Sequence, residues 1–275
     1  MLNVRSIFTQ TSVVASMLML AAPAYASFVQ VTINVENLAP ANSVSFAPLR
    51  FGFNNGTFDA FNQGEVATAP IISVAEGGSG SAWLPAFAAA DPTAVIGSTM
   101  GGAVLPGATR SASFLINTSL NPFFTFASMV VPSNDFFIGN DSPTEYRLFD
   151  MTGSLLINSI SLTASDIWNA GSEAFDPLNA AFLVGGNNSL RTPENGVVGF
   201  NFSELAGFNG LTTAAGYVFD SALTADTDIF RISFTVKTVP EPVTVALMTA
   251  GLLGMGLIVR GRRQGARAPL FETAL

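Results

Sequence analysis

Cysteine and histidine are both absent from this 275-residue sequence, and charge is sparse, with Asp, Glu, Lys and Arg together at 11%. Without cysteine there can be no disulfide scaffold and no thiolate nucleophile. Without histidine as well, zinc loses its usual ligands and the ordinary general base near neutral pH is missing. Ser/His/Asp and Cys/His catalysis are excluded by composition. No phosphate-cradling loop stands out either, since Gly77-Gly-Ser-Gly80 lacks the lysine and helix that such a loop needs. Basic residues are scarce too. Residues 27–238 contain six, Arg50, Arg110, Arg147, Arg191, Arg231 and Lys237, against seventeen acids, which leaves −11. Such a surface repels phosphate backbones, so nucleic acid is not an expected partner. It suits cations, and solubility outside the cell.

What is present divides into two ends and a middle. Residues 1–26 have the order of a secretory signal: Arg5, an apolar stretch from Val13 to Ala22, and the small-residue site Ala24-Tyr25-Ala26. At the other end Val239-Pro-Glu-Pro242 leads into the apolar run Val243–Val259, closed by Arg260-Gly-Arg262-Arg263. The run is near the lower limit for a transmembrane helix, with the arginines on the cytoplasmic side. This order resembles the PEP-CTERM sorting signal, over residues 239–263. The resemblance implies a Gram-negative bacterium, handling by an exosortase, contact with the membrane through the C-terminal helix, and delivery to the cell surface or exopolysaccharide matrix. The sequence departs from the pattern in its further tail, residues 264–275.

The middle, 27–238, reads as one β domain. Val29, Val31, Ile33 and Val35 alternate with polar residues, as do Phe230, Ile232, Phe234 and Val236, giving half-buried strands of period two. Further extended runs are expected at 44–53, 112–117, 125–131 and 154–163. Asn54-Asn55-Gly56 is a hairpin signal. A short helix is expected over 82–90, ended before Pro92, and helical character at 178–183 and 203–208. Asn187-Asn188-Ser189 reads as a turn, and the many phenylalanines as core filling. Short strands with few helix-length runs predict an all-β fold, an antiparallel β-sandwich.

Two polar clusters follow strand-like runs. Pro132 cannot donate to a ladder, so it ends the run before it and presents Ser133, Asn134 and Asp135 on a loop. The second cluster is Asp166-Ile-Trp168-Asn169-Ala-Gly171-Ser-Glu173. Oxygen-bearing loops at strand ends suit a hard cation such as calcium. Asx residues in loops also cap their own turns, which is the structural alternative.

Together Val31-Thr-Ile-Asn-Val-Glu-Asn-Leu-Ala-Pro40, Gly52-Phe-Asn-Asn-Gly-Thr-Phe-Asp59, Ala127-Ser-Met-Val-Val-Pro-Ser-Asn-Asp135 and Trp168-Asn-Ala-Gly-Ser-Glu173 resemble a spondin domain, over roughly residues 29–199. The resemblance implies a C2-like antiparallel β-sandwich, an extracellular matrix or adhesion role, and Ca²⁺ held in loops at one end. It assigns the metal to Asp135, Asn169 and Glu173. Asparagine stands where the pattern has its first acid in the second loop, and glutamate where it has aspartate, so a carbonyl replaces one charge. Asp141, Asp166 and Asp176 are nearby acids that could compensate. Trp168 is expected to pack beneath the loop, with stacking on a sugar ring as the alternative. The function expected is a non-enzymatic adhesion module binding a surface protein or polysaccharide. The alternatives are a carbohydrate-binding protein of the matrix and a glycoside hydrolase using Asp135 with Glu173.

Overall fold

The computed structural model describes residues 28–239 and 250–252. The expected signal 1–26, the tail 264–275 and most of the expected sorting segment 239–263 lie outside them. Among the described residues no helix is long and apolar enough to cross a membrane.

The β domain, Ser27–Thr238, is one compact unit. Its smaller sheet has four strands: β1 (Phe28–Asn37), β5 (Thr109–Asn117), β9 (Ser159–Thr163) and β12 (Asp228–Thr238), in the order β5-β1-β12-β9. Every pairing is antiparallel, with Val31 opposite Val236 and Phe114. The larger sheet runs β11 (Gly199–Phe200), β10 (Trp168–Asn169), β7 (Phe136–Gly139), β6 (Phe123–Val131), β3 (Arg50–Asn54), β4 (Val95–Ser98). Two short strands, β2 (Ser45–Phe46) and β8 (Tyr146–Arg147), also pair with β6. The structure is therefore mostly antiparallel sheet, as the alternation predicts.

The period-two pattern explains the smaller sheet, whose inner residues Val31, Ile33, Val35 and Ile232 are fully buried against Phe46, Phe51, Phe124 and Phe126 of the larger one. The larger sheet obeys a different rule. Strand β6 is buried on both faces from Phe124 to Val131, so its sequence is mostly apolar on both sides, with only Thr125 and Ser128 interrupting, instead of a strict alternation. Its second face lies under two helices, α1 (Ala69–Gly77) and α2 (Trp83–Ala90). Phe58, Phe61, Trp83 and Phe87 fill this outer layer against Ala127, Phe137 and Trp168.

Helix α2 was expected; α1 was not. Its signals are local. Thr68 caps the first turn by accepting from the Ile71 amide, Pro70 sits in that turn, and Gly78 closes the helix in the left-handed region at φ 60°. Asn54-Asn55-Gly56 does turn, with Gly56 at φ 86°, but it does not make a tight hairpin. The chain instead runs through both helices before β4 returns beside β3. Residues 178–183 form turns instead of a helix. The Ala181 amide donates to the Ser133 carbonyl at 2.9 Å, and Phe182 takes φ 68°, which no right-handed helix accommodates. Residues Phe202–Phe208 are a 3₁₀ helix.

The outer layer comes close to the sheet at Gly52. A Cβ there would lie 2.4 Å from the ring of Phe87, which is itself fully buried and stacked on Phe58 at 4.2 Å. Gly52→Ala is therefore expected to destabilise the fold by about 1–3 kcal/mol through overpacking. Gly102→Ala, where an added Cβ meets nothing within 4 Å, should leave the chemical denaturation midpoint almost unchanged. Equal midpoints for the two variants would mean that Phe87 is not held against β3.

Candidate functional site

Strands β6 and β10 run in the same direction on either side of β7, so the loops that follow them emerge at the same end of the larger sheet. The first loop begins where β6 stops, at Pro132, as the missing amide of proline requires. Ser133, Asn134 and Asp135 are all buried. Ser133 Oγ donates to the Val130 carbonyl and accepts from the Phe136 amide. Asn134 makes a two-way pair with the backbone of Asp176, accepting at 3.0 Å and donating at 3.3 Å.

Asp135 is the hinge between the two loops. Its Oδ2 accepts from the Ser172 amide at 2.7 Å, the Glu173 amide at 3.1 Å and the Ser172 hydroxyl at 3.4 Å. Its own carbonyl accepts from Ala170. Asn169 sits opposite Phe136 in the β10–β7 pair and turns its Oδ1 back onto the Gly171 amide at 2.6 Å. Gly171 has φ 64°, and a Cβ on it would lie 2.8 Å from the backbone of Gly196 and Val197, so the motif needs glycine there for two reasons. The three residues nominated from sequence are thus gathered at one end of the sheet.

Glu173 is held differently. Its Oε2 forms an ion pair with Arg191, whose side chain is only 2% exposed. The same guanidinium donates to the Asn134 carbonyl at 3.0 Å and to the Glu76 carbonyl, at the end of α1, at 3.2 Å. Its Nε has no partner among the described residues. Arg191 therefore joins α1, the Asp135 loop and the Glu173 loop. In the sequence Arg191 is one of six basic residues of the domain, with no motif around it. Its one signal is a lone basic residue in the acidic, loop-rich stretch after Glu173.

The nearby acids nominated as compensating ligands have other partners. Asp166 Oδ2 accepts from the Thr163 amide at 2.7 Å and caps the 3₁₀ turn Ala164–Asp166. Asp141 accepts from the Gln63 amide at 3.2 Å, and Asp176 caps its own turn through Leu178 and Asn179. Trp168 is 6% exposed. Its Nε1 donates to the Gly139 carbonyl at 3.0 Å and its ring is covered by Phe200, centroid to centroid 3.7 Å. It packs beneath the loop, and Phe200 carries the exposed aromatic surface instead. Asn187 caps the turn Asn188–Leu190.

Among the described residues no group of three or more His, Cys, Asp or Glu is placed to hold a metal ion. Asp135, Asn169 and Glu173 each spend an oxygen on an internal donor, and the guanidinium already supplies positive charge. Calcium seeks six to eight oxygens. The three side chains would supply part of such a set, with the remainder left to backbone carbonyls and water. Compared with known proteins, the chain matches no family model, and no curated protein is significantly similar to it.

Burial dominates the electrostatics here. It pushes the Glu173 carboxyl up to about 7, with Arg191 pulling down and Glu76 and Asp135 pushing further up. Burial also raises Asp135 above the usual carboxylate range, opposed by the Glu173 and Ser172 donors. A carboxyl whose folded pKa is raised contributes stability below its unfolded pKa, and that contribution is lost as pH rises through the folded value. With chelator present, the melting temperature should therefore fall as pH rises from about 4.5 through about 7, and Glu173→Gln should flatten the slope. A melting temperature that climbs over this window would mean the carboxyl is not desolvated. Asp135→Ala strands the Ser172 and Glu173 amides and should cost about 1–3 kcal/mol in chemical denaturation.

Proposed function

We propose that the chain is an exported, non-enzymatic adhesion or matrix module in which a rigid β-sandwich presents a stiffened loop surface. One observation carries the reading. The stretch that Arg191 ties down exposes Phe175 (44%), Leu178 (73%), Val184 (68%), Leu190 (63%), Val197 (53%) and Phe200 (48%). Exposed large apolar side chains concentrated in one stretch of chain, 175–200, support contact with another molecule. The carboxylates beneath it act as architecture, Asp135 on backbone amides and Glu173 on Arg191. That use speaks against the hydrolase alternative, which needs both carboxyls free to reach a substrate. Export rests on residues 1–26, and exosortase sorting to a Gram-negative surface on 239–263. The spondin resemblance supplies the matrix role.

In this reading Arg191 carries out internally the loop-pinning that the resemblance gives to calcium. Removing one partner of a buried pair costs about 3–5 kcal/mol, so Arg191→Ala should melt far below the parent. The parent should melt at the same temperature in calcium and in chelator. Arg191→Ala leaves Glu173 beside Asp135 without its counter-charge, and should gain a calcium-dependent rise by mass action. A calcium-dependent rise in the parent that Asp135→Ala abolishes would return the ion to the native site. For the adhesive role, deleting the chain from its source bacterium should reduce attached biomass, restored by the parent and not by Arg191→Ala. Unchanged attachment on deletion would overturn it.

A further inference from the structure

Strand β5 ends one side of the smaller sheet, pairing only with β1 among the described residues. It is long for an edge, nine residues, where β4 and β11 at the ends of the larger sheet have four and two. We infer that β5 is a docking edge for the β5 of a second copy of this chain, the two strands pairing antiparallel about a two-fold axis at Ser113. The inference goes beyond the adhesion reading and depends on neither the Arg191 clamp nor calcium.

The register fixes which backbone groups face outward. The Asn37 amide donates to the Ala108 carbonyl at 3.1 Å, so these two residues form a hydrogen-bonded pair. In an antiparallel ladder such pairs alternate with non-bonded ones. Arg110, Ala112, Phe114 and Ile116 therefore bond to β1, and the amides and carbonyls of Thr109, Ser111, Ser113, Leu115 and Asn117 point away from it. The ends of that row are occupied. The Arg110 guanidinium donates to the Thr109 carbonyl at 2.8 Å, and the Asn121 amide to the Asn117 carbonyl at 2.9 Å. Ser111, Ser113 and Leu115 are left with backbone donors and acceptors that no described residue meets. The opposite edge, β9, is shorter at five residues, and its Thr163 amide is taken by Asp166.

Two observations select a second copy as the occupant. The first is register. Centred on Ser113, the pairing sets Ser113 opposite its counterpart and Ser111 opposite Leu115, so each free residue meets a free residue and exchanges both hydrogen bonds with it. Neighbouring registers would bring the occupied Thr109 or Asn117 into the ladder. Side chains match in this register too, small against large. Half-buried Ala112 faces half-buried Phe114 on the inner side, and Ser111 faces Leu115 on the outer. The second observation is charge. A domain of net −11 repels its own copies, yet no acid occurs between Asp91 and Asp135. The one charge on β5 is Arg110. The two-fold axis keeps the two Arg110 residues about 20 Å apart along the strands, well beyond the screening length of about 8 Å. From Ser111 to Asn117 the strand has no proline, lysine or other charge of the kind that blocks edge pairing.

Because the chain has no cysteine, a single introduced thiol reports the contact. In the purified full chain in detergent, Ser113→Cys should be joined into a dimer by a short bis-maleimide, since facing residues of a bonded pair lie about 5.5 Å apart. Ser161→Cys, also exposed but on β9, should give at least tenfold less dimer. Adding Ser111→Pro to Ser113→Cys removes an outward amide that the fold does not use. It should lower the yield at least tenfold and leave the melting temperature almost unchanged. Ser111→Lys keeps that amide and places a charge on the edge, so it should lower the yield in the same way even if the proline variant melts early. No dimer from Ser113→Cys, equal yields from Ser113→Cys and Ser161→Cys, or a yield that survives both substitutions at Ser111 would overturn the interface. The calcium and attachment experiments do not bear on it.

Discussion

The loop end of this molecule depends on one buried guanidinium. Arg191 reaches across three pieces of chain distant in sequence, the end of α1, the turn after β6 and the turn after β10, and each gives it an oxygen. A planar fork of donors can satisfy several acceptors in a fixed arrangement, which a lysine ammonium cannot do with the same geometry. The desolvation cost of the ion is offset by the hydrogen bonds it donates to two backbone carbonyls, whose partial negative charges face it without a second ion being buried. Glu173 provides the formal charge. Asp135 completes the assembly from below, by accepting two successive backbone amides that would otherwise be stranded under the loop.

Around this clamp the fold is arranged in three layers. The smaller sheet and the inner face of the larger one share a core rich in phenylalanine, whose rings meet edge-on or offset, as Phe51 does with Phe114 at 5.1 Å. The outer face of the larger sheet has its own core beneath α1 and α2. Trp168 belongs to that second core, so the loop that follows it is anchored on packed aromatics as well as by its polar contacts.

The parts of this architecture with short-range causes were legible in the sequence. Alternation revealed β1 and β12, Pro132 marked the end of β6, and Pro92 the limit of α2. Convergence of the loops at Asp135, Asn169 and Glu173 was legible only through motif resemblance, since nothing local places residue 135 beside residue 172. What could not be read has a common physical reason: each case is decided by a partner far away in the chain. Helix α1 is apolar on more than one side, with Pro70 and Ile72 half-buried beside buried Ile71, Val74 and Ala75, so its pattern is weakly amphipathic, and the alternation does not announce the outer layer that it forms. Residues 178–183 would pass for a helix were Ser133 not there to pair with Ala181. Arg191 looks like any surface base until the acceptors from Glu76 and Asn134 are brought around it.

The smaller sheet's outer surface bears on how the molecule meets its neighbours. Its side chains form cross-strand rows, Ser111 beside Asn34 beside Ser233, and Ser113 beside Thr32 beside Thr235, with one hydroxyl pair, Thr32 to Ser113, at 2.7 Å. These small polar side chains pave the middle of the face and hold water through their hydroxyls and amides, flanked by exposed Leu115 at one end and the Glu36–Arg231 ion pair at the other. Covering that paved middle with another molecule would have to displace this hydration, so contact there carries a desolvation cost.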